Sequence, residues 1–253
     1  MHARKPLVVG NWKMNGVKAS AAEFGRIAEA YRPELRKHVQ LVVCPPTTLL
    51  STFAVIAVGS RVAIGAQDCH PGTYGAHTGD ISAEMVADAG ATFVIVGHSE
   101  RRIAHRESDA DAAGKVRAVH DAGLISILCV GETAEERRSG QALAVIDGQL
   151  DGSMPEGIDL TADDLVIAYE PVWAIGTGVT PSLDDIAEMH DHIRARLGER
   201  LGAEGARMHI LYGGSVKPSN AAEILSLPDV NGALVGGASL KAEDFLGIAS
   251  VYS

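Results

Sequence analysis

Apolar residues along this chain gather into eight short runs separated by longer stretches of mixed polarity. The runs are Leu7–Gly10, Leu41–Cys44, Val62–Ile64, Phe93–Val96, Ile125–Val130, Leu165–Tyr169, His209–Tyr212 and Ala233–Val235. Most are rich in β-branched residues, and they lack the apolar–polar alternation of a half-exposed strand. Continuous apolar runs of this kind suit strands buried on both faces of a parallel sheet. The third is the weakest, because Arg61–Gln67 is short and contains Gly65. Between the runs, Ala22–Tyr31 and Asp184–Leu197 mix apolar and charged positions at helical spacing. Ser82, before Ala83–Ala89, and Ser219, before an alanine-rich segment, are predicted helix N-caps.

Strict strand-then-helix alternation predicts βαβ units and a parallel sheet. Eight such units in 253 residues predict an α/β fold, an eight-stranded parallel (β/α)8 barrel, over an open doubly wound sheet. No Pro/Ser-rich linker or shift in composition divides the chain, so residues 1–253 are expected to form a single barrel domain. Aromatic residues make up only 4%, which leaves Val, Ile, Leu and Ala to fill the core. A net charge of −10 argues against nucleic acid or an anionic membrane as partners. It also requires a site for an anionic substrate to supply its own positive potential. Cys44, Cys69 and Cys129 are odd in number and far apart, so neither a disulfide framework nor a metal motif is expected. The first strand-like run begins by Pro6 with no separate leader, and no apolar stretch approaches the ~18–20 residues of a membrane helix. Together these features predict a cytoplasmic protein.

The distinctive polar clusters fall just after strands: Gly10-Asn11-Trp12-Lys13, Gly97-His98-Ser99-Glu100-Arg101, Glu170-Pro171-Val172-Trp173, Gly213-Gly214-Ser215 and Gly236-Gly237-Ala238-Ser239. In a parallel barrel these points share the rim that hosts active sites. Glycine pairs after the seventh and eighth strands let backbone N–H groups approach an anion, and that place in a barrel commonly binds phosphate. Either pair alone also serves as a tight turn. Lys13 is a cation on the same rim, read as lying opposite the phosphate loops. His98 precedes a helix, whose N-terminus disfavours the imidazolium and keeps the ring a neutral hydrogen-bond donor. Glu100 and Arg101 read as orienting groups, with an ion pair among them. Glu170, at the end of an apolar strand, is a candidate general base in surroundings that favour proton uptake. Pro171 restricts it to extended backbone. Pro171–Val179, stiff at its start and ending near Gly176-Thr177-Gly178, has the composition of a moving lid, with Trp173 and Ile175 placed to exclude water.

GNWKMNG at Gly10–Gly16, CVGE at Cys129–Glu132, GHSERR at Gly97–Arg102, AYEPVWAIGTG at Ala168–Gly178, YGGSVK at Tyr212–Lys217 and NGALVGGASL at Asn231–Leu240 resemble the triosephosphate isomerase family. The matches cover essentially the whole chain. The resemblance implies interconversion of dihydroxyacetone phosphate and glyceraldehyde 3-phosphate through an enediolate, without metal or cofactor. It implies Glu170 as base, His98 as electrophile and Lys13 as substrate-orienting cation. Asn11, Gly176, Ser215, Gly236 and Gly237 would contact substrate, and Pro171–Gly178 would close over it. It also implies a homodimer assembled through the loop Gln67–Ser82, whose tip Gly75–Gly79 would enter a partner so that Thr78 braces Asn11 or Glu100. That loop departs from the family pattern with Asp68 for Asn, His77 for an aromatic residue and Asp80 for Glu, and Val179 follows the lid where Ala is frequent. Three other activities fit parts of the pattern: an isomerase of a four-carbon ketose phosphate, a lysine Schiff-base aldolase and a catalytically silent phosphate-binding barrel. The aldolase is disfavoured because Glu170 occupies the end of the sixth strand.

Overall fold

The computed structural model describes residues 4–175 and 181–253. Its strands are β1 (Leu7–Asn11), β2 (Gln40–Cys44), β3 (Ala63–Ala66), β4 (Phe93–Val96), β5 (Ile125–Val130), β6 (Leu165–Tyr169), β7 (His209–Tyr212) and β8 (Gly232–Val235). They close in sequence order into one barrel, all neighbours parallel, with Leu7 opposite both Gln40 of β2 and Gly232 of β8. Closure explains the unbroken apolar runs. Alternate residues such as Leu7, Val9, Val42, Ile95 and Ile127 fill the barrel interior. The residues between them, such as Val8, Val43 and Val94, pack outward against helices. Both faces are dry, so the strand residues have no polar side to display.

The third strand lies one or two residues later than the sequence suggests. Gly65 breaks the apolar pattern because it faces Cys44 inside the barrel, whose Sγ would lie 2.5 Å from a Cβ at that position. The glycine reserves that volume for its neighbour, so the local pattern weakens although the strand is fully paired into the barrel.

Ser82 caps the helix Ala83–Asp88, accepting the Met85 N–H at 3.3 Å. The expected cap at Ser219 is corrected: the helix Ala221–Leu225 starts after Asn220. Asn220 Oδ1 accepts the Lys217 N–H at 2.8 Å and its Nδ2 donates to the Ser215 carbonyl at 3.1 Å. The side chain therefore folds back on the loop after β7 instead of capping the helix. In doing so it fixes Ser215. Of the helices, 183–201 is the longest, and no described helix is long and apolar enough to cross a membrane.

Candidate active site

The C-terminal rim opens into a cavity of about 940 Å³. Asn11, Lys13, His98, Glu170, Ser215, Gly236 and Gly237 all line it, although β1 and β8 are over 200 residues apart. Gly176, the remaining candidate contact, lies outside the described residues, as does the lid beyond Ile175.

Glu170 follows β6 and is 2% exposed. Its carboxylate is fully engaged: Oε1 lies 2.8 Å from His98 Nε2, and Oε2 accepts the Ser99 N–H at 2.9 Å. Burial raises the carboxyl pKa, but contact with His98, the Ser99 N–H and the charge of Lys13 outweigh it and hold the value below the ordinary carboxylate level. The expectation of surroundings that favour proton uptake is thus corrected for this arrangement. Here Glu170 is ionised and occupied by donors. Gly213 leaves room for the side chain, since a Cβ there would sit 2.9 Å from Glu170 Cγ.

His98 ends the loop after β4 and caps the helix Ser99–Ala104 with its own ring. Nδ1 accepts the Glu100 N–H at 3.2 Å, which leaves the proton on Nε2, directed at Glu170. Burial opposes the imidazolium, while the Glu170 carboxylate favours it, and the net direction is upward. Burial and the Glu100 N–H at Nδ1 favour the neutral donor expected from the helix start, as does the charge of Lys13, while the carboxylates of Glu170 and Glu100 oppose it.

Lys13 adopts φ +52°, a left-handed conformation uncommon outside glycine. Side chains hold it there from both directions. Asn11 Oδ1 accepts the Lys13 N–H at 2.9 Å, and Gln67 Nε2 donates to the Lys13 carbonyl at 2.9 Å and to the Cys44 carbonyl at the same distance. Nothing in the local sequence pattern around Gln67 marks it as a support for Lys13. Lys13 Nζ pairs with Glu100 at 2.6 Å, so the predicted pair between Glu100 and Arg101 is replaced. Adjacent helical residues do not face each other, and Arg101 turns instead to Asp68 and Glu107 at 2.9 and 3.2 Å.

The glycine loop after β8 lies beside Lys13, not opposite it, because closure makes β8 a neighbour of β1. A Cβ on Gly236 would come within 3.4 Å of Lys13 Cε, whereas one on Gly237 would meet only open space. Gly237 also begins a short 3-10 helix, Gly237–Leu240. The cavity therefore pairs a cation with exposed backbone on one side and the His98–Glu170 pair on the other.

Two further groups were not assigned roles from sequence. Burial, together with the neighbouring Glu170 carboxylate, pushes the Cys129 thiol well above its ordinary pKa and keeps it protonated. Glu132 is fully buried and its Oε1 accepts from Tyr169, from Trp173 Nε1 at 2.8 Å and from Arg137. Trp173, expected to move with the lid, is thereby tied to the barrel top, and Ile175 lines the cavity.

Fold and cavity define a class: a β/α-barrel enzyme equipped for acid–base chemistry on a small anion. The model of the triosephosphate isomerase family matches residues 6–252. A triosephosphate isomerase of Bradyrhizobium diazoefficiens is 58% identical over 98% of this chain and 97% of its own. One from Xanthobacter flavus is 56% identical over 97% of each. A crystal structure of triosephosphate isomerase from Bartonella henselae superposes with a TM-score of 0.91 at 49% identity, covering 98% of this chain and 99% of that one. The chain belongs to the triosephosphate isomerase family.

Proposed function

We infer that this protein interconverts dihydroxyacetone phosphate and D-glyceraldehyde 3-phosphate as a triose-phosphate isomerase, a step of glycolysis and gluconeogenesis. The observation that carries the mechanism is the buried Glu170–His98 pair at the edge of an anion-ready cavity. Substrate phosphate would lie on the backbone at Ser215, Gly236 and Gly237, with Gly176 of the lid segment as a further contact. Lys13 and Asn11 orient it. Glu170 leaves His98 and removes the proton beside the carbonyl. The enediolate oxygen then accepts from His98 Nε2–H and lies near Lys13, donors already in place before charge develops. The hydroxyl proton of the intermediate passes to the former carbonyl oxygen by way of His98 Nε2, and Glu170 then returns its proton to the adjacent carbon. Closure of the lid excludes water and discourages loss of phosphate from the intermediate. The scheme needs no metal or cofactor.

Purified protein should convert the triose phosphate rapidly and a four-carbon ketose phosphate far more slowly, as read in coupled assays on both. Equal efficiency on the longer substrate would favour the four-carbon reading. No turnover on either would favour a silent barrel.

The same reading includes one barrel domain over residues 1–253, a cytoplasmic setting and a homodimer. Three unpaired, buried cysteines suit a reducing compartment. The dimer is supported by apolar side chains standing in solvent near the rim: Met14 is 97% exposed and Tyr74, within the loop 67–82, is 86% exposed. Two copies of one patch suit a two-fold interface. A charge at the loop tip should desolvate poorly there. Thr78→Arg is therefore expected to sediment as a monomer, with turnover falling alongside dimer content. A wild-type protein that sediments as a fully active monomer at assay concentration would remove the dimer from this reading.

A further inference from the structure

The chain that carries Glu170 is held from behind as well as from the substrate cavity. Val130 forms the last registered pair of β5 with β6, opposite Tyr169, so the peptide groups of Gly131 leave the ladder without a strand partner. One side chain takes both. Gln149, on the helix Ala142–Ser153, accepts the Gly131 N–H on Oε1 at 2.7 Å and donates from Nε2 to the Gly131 carbonyl at 3.0 Å. A carboxamide offers a donor and an acceptor side by side, as a strand backbone does, and here it stands in for the missing strand. Nothing in the sequence around Gln149 marks it for this role.

Gly131 in turn touches the main chain of Glu170. A Cβ at position 131 would lie 1.8 Å from the Glu170 carbonyl oxygen. The peptides on either side continue the contact: the Glu170 N–H donates to the Val130 carbonyl at 2.7 Å, and the Val172 N–H to the Glu132 carbonyl at 3.1 Å. The backbone of Glu170 and the start of the lid segment therefore rest on the stretch that Gln149 grips. Packing alone does not fix that stretch. A cavity of about 110 Å³ opens between Arg102, Cys129, Gly131, Gln149 and Val172, which leaves the chain room to shift once the amide is gone.

We propose that Gln149 is a positioning residue for Glu170: its two hydrogen bonds to Gly131 set where the carboxylate meets His98 and the substrate carbon. This rests on Glu170 being the base inferred above. The carboxylate makes contacts that tolerate little backbone drift, 2.8 Å to His98 Nε2 and 2.9 Å to the Ser99 nitrogen. Lys13 and the Cys129 thiol are its other titratable neighbours, and neither is bonded to Gln149, so the effect of Gln149 passes through the backbone.

Gln149→Ala removes both bonds at a half-buried position, where water can satisfy Gly131 without fixing it. Steady-state kinetics on the triose phosphate should show kcat lower by about tenfold or more, the scale of a misplacement approaching 1 Å, with KM within a few-fold of wild type. Gln149→Leu keeps the bulk, loses the bonds and should fall in the same direction. With histidine labelled at its ring nitrogens, the His98 Nε2 proton should resonate downfield in wild type, as a proton shared with a carboxylate does. It should move upfield in Gln149→Ala. That resonance reports on folded molecules, so a lowered melting temperature does not enter it. Wild-type kcat in Gln149→Ala, a loss confined to KM, or an unmoved His98 proton would each overturn the proposal. Glu170→Asp keeps this distinct from the assignment of the base. Normal turnover in Glu170→Asp removes the base itself, whereas loss there beside wild-type turnover in Gln149→Ala removes only the role of Gln149.

Discussion

Glu170→Asp is expected to lower the turnover number about 10²-fold while leaving KM within a few-fold of wild type. The substitution preserves the charge and withdraws the carboxylate by one methylene, a displacement of roughly 1 Å, and misplacement of that size costs about two orders of magnitude in a reacting geometry. The side chain has no slack to recover it. Glu170 is 2% exposed, Gly213 and the strand end confine its stem, and both oxygens sit at hydrogen-bond distance from His98 and Ser99. The proposed phosphate contacts follow other strands, so ground-state binding should change little. Steady-state kinetics separate the two effects. A turnover number equal to wild type would take Glu170 out of the role of base.

Lys13→Met should cost about 10²–10³-fold in kcat/KM, the range typical for removal of one preorganised electrostatic donor. Methionine keeps most of the side-chain length and can occupy the same backbone conformation at the same strain, held by Asn11 and Gln67. What disappears is the cation beside Gly236. In a chain of net charge −10, the proposed function relies on that cation to draw a phosphorylated substrate to the rim. Glu100, its partner, is 53% exposed, so water replaces Lys13 at little cost in stability. Thermal unfolding should therefore stay near wild type while affinity and rate both fall. Kinetics unchanged from wild type would show that Lys13 only pairs with Glu100.

Much of this architecture is written in the order of residue types. Runs such as Phe93–Val96 and Leu165–Tyr169 are apolar without alternation, which is how a strand dry on both faces must read, and both coincide with observed strands. The clusters carrying Lys13, His98, Glu170, Ser215 and Gly236 follow strand ends, so parallel strands alone predicted a shared rim. Tertiary structure decided what depends on contacts between distant segments. Closure of β8 onto β1 set Gly236 beside Lys13 instead of across from it. Gly65 interrupts the apolar pattern of the third strand because Cys44 occupies the volume a side chain there would need. The state of Glu170 depends on whether burial or its partners dominate, and those partners come from the loop and helix start after β4, Ser99 lying 71 residues away. Gln67 supports Lys13 across 54 residues, and Asn220 turns back to Ser215 instead of leaving Ser219 to cap a helix. Periodicity reports which faces are dry because solvent acts on each residue independently. Hydrogen-bond partners and pKa directions are properties of pairs, and the fold chooses the pairs.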